Sequence, residues 1–155
     1  MDRSRATHHK GWYFALDKLM DQLVSQQTPA TPAISLLYAL DFQLGRILEE
    51  GMETRWKRHL DMQQRTVEWV DEMAGTGVEI GVLAAEGSRS PTVTCVTMPG
   101  GEGSSAVVAE MLARGWVIGG GYGRLQESTI RIGHMGDHTV DELDALLEVL
   151  GDVLS

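Results

Sequence analysis

The sequence predicts an α+β fold: a long helix or helix pair, then a small, mainly antiparallel sheet with helices on one face. Three observations predict it. Apolar residues recur at helical spacing through residues 33–75. Beyond Gly77 the pattern changes to strand-like alternation and β-branched runs. The chain then closes on an amphipathic stretch opened by a capping box, Thr139 with Glu142 three residues on. Four regions follow: a disordered arm (1–10), a lead-in segment and loop (11–32), the long helical segment (33–75) and an α+β domain (76–155).

Residues 1–10 mix charge and polarity without periodicity, and the adjacent pair His8-His9 is too few ligands for a metal site. Gly11-Trp12-Tyr13-Phe14 reads as a short aromatic strand or lead-in. Leu16, Leu19, Met20 and Leu23 form one face of a short helix. Thr31-Pro32 is a helix start, with threonine as N-cap and proline in the first turn. That helix carries Ile34, Leu37, Leu40, Leu44, Ile47 and Leu48 on one face and runs to about Glu50. Gly51 interrupts it, and Met52, Trp56, Leu60, Val67, Val70 and Met73 continue the spacing. The result is one bent helix or two helices meeting at Gly51.

Val78, Ile80 and Val82 alternate, and Thr92 to Met98 is a β-branched run between Pro91 and Pro99. Ser104 or Ser105 caps a helix bearing Val107, Val108, Met111 and Leu112. Trp116-Val117-Ile118 reads as a strand, followed by the loop Gly119-Gly120-Gly121-Tyr122-Gly123. Ile130 and Ile132 flank Arg131 with period two, so the two isoleucines face the core and Arg131 points to a cleft or to water. Leu143, Leu146, Leu147, Leu150 and Leu154 make the last helix amphipathic.

Composition narrows the function classes. The chain has 155 residues, 43% hydrophobic and 23% charged, as in a water-exposed globular domain. No apolar run approaches the roughly 20 residues that span a bilayer, and a cytoplasmic protein is expected. A net charge of −9 argues against nucleic acid. The single cysteine, Cys95, lies in the Val/Thr run and reads as a small buried residue. His134, Asp137 and His138 lack a fourth ligand for a metal. The glycine loop is no dinucleotide fingerprint, because no helix follows it.

An arginine fixed on a strand beside a glycine-rich loop suits bidentate capture of a small carboxylate or phosphate, and a structural ion pair is the competing reading. Gly120-Gly121-Tyr122-Gly123, then Arg131-Ile132-Gly133-His134-Met135-Gly136, resembles the C-terminal domain of class V aminotransferases of the alanine–glyoxylate and serine–pyruvate type. Residues 28–40 resemble the segment entering that family's long helix, and residues 90–96 the first strand of its small domain. The resemblance runs from about Gly11 to the end.

It implies the small C-terminal domain of a fold-type I pyridoxal-phosphate enzyme. Arg131 matches the arginine that holds the substrate carboxylate. Thr31, and after it Thr28, match the loop that meets the cofactor phosphate across a homodimer. A lysine Schiff base and an acidic partner for the cofactor ring are required. In the family both lie in the large domain, upstream of where this sequence begins. The three lysines here are Lys10, Lys18 and Lys57, and none resembles the cofactor lysine. The expectation is therefore the C-terminal portion of a transaminase, inactive alone, whose partners are a small amino acid, a 2-oxo acid, and a second copy or a large domain. The alternative is a free-standing carboxylate-binding or dimerising domain of the same fold.

Overall fold

A computed structural model describes residue 6, residues 11–101 and residues 103–155. The expected disordered arm, the His8-His9 pair and Lys10 lie outside the described residues, apart from Ala6. The chain divides into two compact units, residues 1–49 and 50–155.

In the first unit, Gly11 to Phe14 form turns rather than a strand, and Tyr13 and Phe14 meet edge to face with centroids 5.4 Å apart. Helix α1 spans Leu16–Val24 and α2 spans Ile34–Glu50. The amide of Leu37 donates to the carbonyl of Ala33, which places the helix start beyond Thr31-Pro32. Thr31 is thus not the cap: the first helical bond ends on Ala33, which takes the cap position two residues further on. Helix α2 buries none of its residues, and Leu36, Tyr38, Phe42 and Leu48 are each about 70% exposed or more.

The second unit opens with α3, Met52–Gly75, so the long helical segment is two helices. Gly51 separates them with φ 83° and ψ 136°, a conformation that glycine adopts without cost from a Cβ. The strands are β1 (Gly81–Val82), β2 (Val93–Thr97), β3 (Gly119–Gly120) and β4 (Thr129–Gly133). They form one antiparallel sheet in the order β1-β2-β4-β3. Helix α4 (Ser104–Ala113) and helix α5 (Val140–Leu154) complete the unit.

One sheet face packs on the helices. Val96, Ile130 and Ile132 meet Met62, Trp69 and Val70 of α3, Met111 of α4, and Leu143, Leu147 and Leu150 of α5 in a single core. Burial of this apolar area is the main stabilising term. The expected core face of α3 holds only in its second half. Met52, Trp56 and Leu60 are exposed, while Arg55, Met62, Thr66 and Trp69 turn inward.

Two local assignments also differ. Trp116–Ile118 is not a strand, and the glycines after it are: Gly119 and Gly120 pair with Arg131 and Ile130. Neither serine caps α4. Gly103, at φ 91°, is its N-cap, Ser104 Oγ donates to the carbonyl of Thr129 at 2.6 Å, and Ser105 Oγ donates to Glu127 at 2.6 Å. The Thr139–Glu142 capping box is present in both directions. Among the described residues no helix is long and apolar enough to cross a membrane.

Candidate functional site on the open face of the sheet

The alternation of β4 decides what the open face carries. Thr129, Ile130 and Ile132 are buried, and Arg131 and Gly133 are exposed. Arg131 therefore stands on the face away from the helices. Its cross-strand neighbours are Cys95 on β2 and Gly119 on β3, and directly paired residues share a face. Cys95 is half-buried there, rather than a core residue.

The guanidinium lies across β3. Arg131 Nε donates to the carbonyl of Gly120 at 2.7 Å. A Cβ on Gly119 would stand 3.2 Å from both Nε and Nη2 of Arg131, so the side chain reaches this position over a glycine. Gly121 is more tightly required. A Cβ there would fall 1.9 Å from the carbonyl oxygen of Leu125 and 2.5 Å from Thr129 Oγ1. Gly121 N also donates to Thr129 O at 2.8 Å, which closes the turn onto the start of β4.

The far end of β4 is fixed from two sides. His134 is fully buried, its Nε2 is 2.8 Å from Thr94 Oγ1 and its Nδ1 is 3.2 Å from the carbonyl of Pro91. Burial pushes its pKa below the usual 6.5, despite the hydrogen bond to Pro91. His134 is thus a neutral structural link between β2 and β4, pointing away from Arg131's face. Helix α3 holds the turn beyond it. Arg55 Nη1 donates to Glu50 at 2.7 Å and to Asp137 at 3.0 Å. Arg58 donates to the carbonyls of Gly136 and His138 and pairs with Glu50, and His59 Nε2 is 3.2 Å from the carbonyl of Gly136. Burial opposes ionisation of Glu50, but hydrogen bonds from Arg58 and Arg55 outweigh it and hold the carboxyl below its ordinary range.

The sequence signal for this clamp was the run Arg55-Trp56-Lys57-Arg58, which reads as a solvated cationic stretch. Lys57 does fit that, bonding Asp61 across one exposed turn at 2.5 Å. Arg55 does not, being only 8% exposed. Helical phase separates them, and the two partners lie 5 and 82 residues away.

The other expected residues lie elsewhere. Thr28 and Thr31 are exposed in the loop before α2, in the first unit, whereas Arg131 belongs to the second. Lys18, also in the first unit, sits 4.8 Å over the ring of Trp12. Among the described residues no group of three His, Cys, Asp or Glu side chains could hold a metal. A concavity of about 500 Å³ opens on the helix side, near Met62, Trp116 and Leu146. Its polar rim is already engaged: Asp137 by Arg55, and His138 by Glu142 at 3.4 Å. Arg131 stands exposed on the opposite, open face of the sheet.

Comparison with known proteins gives mainly aminotransferases, beside two relatives named as soluble hydrogenase subunits at 28% identity. No protein-family model matches the sequence. An aminotransferase of Methanocaldococcus jannaschii, itself uncharacterised, is 38% identical over 112 residues, which are 72% of this chain and 28% of the relative. The mouse alanine–glyoxylate aminotransferase is 32% identical over 126 residues, 80% of this chain and 30% of the relative. The crystal structure of an alanine–glyoxylate aminotransferase from Nostoc sp. superposes with a TM-score of 0.83 at 28% identity, covering 97% of this chain and 40% of that one.

The chain is related to the class V aminotransferases. Its α+β fold is that of their small C-terminal domain. It spans about a third of the length of these aminotransferases, between 28% and 40%.

Proposed function

We propose that this chain is the C-terminal portion of a pyridoxal-phosphate-dependent class V aminotransferase. The complete enzyme would move an amino group between a small amino acid, such as alanine or serine, and a 2-oxo acid, such as glyoxylate or pyruvate. The observation that carries the reading is the placement of Arg131. It is exposed on the open face of the sheet, and among the described residues its one side-chain hydrogen bond is made through Nε. Both terminal nitrogens are left for a carboxylate. A fixed planar fork orients an amino acid by its carboxylate and distinguishes that group from neutral ones.

In this reading Thr31 and Thr28 contribute to the cofactor phosphate across a homodimer, aided by the amides at the start of α2. The exposed apolar residues of α2 suit a helix covered by another part of the enzyme. The cofactor would supply the electron sink for amino transfer, and it needs a lysine. The described lysines do not fit that task. Lys18 is stacked on Trp12, and Lys57 is ion-paired on an exposed turn. No covalent step is therefore assigned to this chain, whose part is to bind and orient the acid.

The test joins the chain in frame behind the large domain of a class V aminotransferase and measures pyruvate from alanine and glyoxylate. The joined protein should transaminate. Arg131→Lys in it should raise KM for alanine by at least about tenfold, the loss of a bidentate contact. Unchanged KM in a folded, cofactor-loaded Arg131→Lys protein would overturn the assignment.

A further inference from the structure

The two edges of the Arg131 guanidinium are not equivalent. A carboxylate can dock side-on, against Nε and Nη2, or end-on, against Nη1 and Nη2. Here the side edge faces β3. Nε already donates to Gly120 O at 2.7 Å, and Nε and Nη2 both lie 3.2 Å from the place where a Cβ on Gly119 would stand. We infer that Gly119 and Gly120 are positioning residues, which seat the guanidinium on β3 and restrict Arg131 to end-on capture of a carboxylate.

Gly119 matters because it is empty above its Cα. Its pairing with Arg131 puts the two on one face, and any side chain there would occupy the guanidinium's seat. Gly120 matters through its carbonyl, which accepts the hydrogen bond from Nε–H and so fixes the rotation of the planar group. Cys95, the opposite neighbour, lies on β2, across β4 from that seat. An end-on contact sets the carboxylate on the long axis of the side chain. A preformed seat also lowers the ordering cost of binding. The inference deepens the proposed carboxylate role of Arg131 and rests on it.

The test uses the 155-residue chain, ¹⁵N-labelled, with sodium acetate as the probe and sodium chloride at equal ionic strength as control. Arg131→Lys identifies the Arg131 Nε–H resonance by its loss. The first readout needs no ligand: in the parent chain this proton should exchange with water more slowly than those of exposed arginines. Gly119 does not use the left-handed region, so Gly119→Ala keeps its backbone and should fold. In that variant the slow exchange should be lost. Exchange as fast as at other exposed arginines in the parent, or unchanged exchange in Gly119→Ala, overturns the inference.

The second readout is the acetate titration. Acetate should shift the Nη resonances and leave Nε–H nearly unmoved, and Gly119→Ala should bind about tenfold more weakly. A dominant shift at Nε–H means side-on docking and overturns the inference. Acetate affinity unchanged by Arg131→Lys, or absent from the parent chain, tells instead against the carboxylate role itself, and the exchange readout still decides the seating.

Discussion

Substituting alanine at Gly119, Gly120 and Gly121, one at a time, should give three different outcomes within three consecutive residues. At Gly120 the nearest atoms to a new Cβ are Ser104 Oγ at 3.6 Å and Val108 Cγ2 at 3.9 Å, which is ordinary contact. Stability should stay within about 0.5 kcal/mol. At Gly119 the neighbour is the flexible Arg131 side chain at 3.2 Å, so the fold should survive while the guanidinium moves. At Gly121 the new atom would sit 1.9 Å from Leu125 O, more than an ångström inside the 3.0 Å that real contacts respect. The obstacle is backbone, which cannot rotate away.

Relief at Gly121 requires opening the turn. That breaks Gly121 N to Thr129 O at 2.8 Å and disturbs Thr129 Oγ1 to Leu125 O at 3.0 Å, each worth about 1 kcal/mol. Overpacking strain adds about 1–3 kcal/mol. Gly121→Ala should thus cost about 3–5 kcal/mol, which lowers Tm by roughly 6–20 °C in a chain of this size. Urea unfolding followed by far-ultraviolet circular dichroism, with thermal melts beside it, measures all three. A Gly121→Ala chain within about 0.5 kcal/mol of the parent would refute the packing argument for the whole glycine run.

Three further outcomes follow from other contacts. Thr139→Ala removes half of the capping box of α5 and should destabilise by about 1 kcal/mol in urea unfolding. Arg55→Met keeps the stem but removes the pairing with Glu50 and Asp137, and Tm should fall by about 2–5 °C. Because the Glu50 pKa is lowered on folding, that difference should be present above the ordinary value of 4.5 and shrink as pH falls through the folded value. His134 has a folded pKa below its ordinary 6.5, so the unfolded chain takes up its proton first as pH falls. Its contribution is complete above 6.5 and lost progressively below it, and His134→Gln should reduce the drop in urea midpoint between pH 7.5 and 5.5.

Local signals in the sequence carried the parts of the fold that are decided locally. The alternation around Arg131 predicts which of its neighbours are buried, because a strand has period two. The Thr139–Glu142 spacing predicts the start of α5, since both bonds lie within one turn. Gly51 predicts the break between α2 and α3. The parts decided at long range stayed hidden. Gly119-Gly120 has no strand propensity, and only pairing with β4 makes it a strand. Arg55 looks solvated until Asp137, 82 residues on, closes over it. Ser104 looks like a cap but donates instead to Thr129, across the sheet. The first half of α3 turns this cluster inward, which leaves Met52, Trp56 and Leu60 exposed in spite of their spacing. At the site itself the arginine was legible from its strand and its glycines, whereas its seating on Gly120 required the register.

The central claim is that this chain binds and orients a carboxylate but carries no cofactor lysine. Mixing the purified chain with pyridoxal phosphate, recording the absorbance spectrum, reducing with borohydride and mapping modified lysines by mass tests it most directly. The account predicts no shifted absorption band and no stoichiometric modification of Lys10, Lys18 or Lys57. One of them modified one-to-one, with a band that borohydride abolishes, would contradict it and place Schiff-base chemistry within this chain.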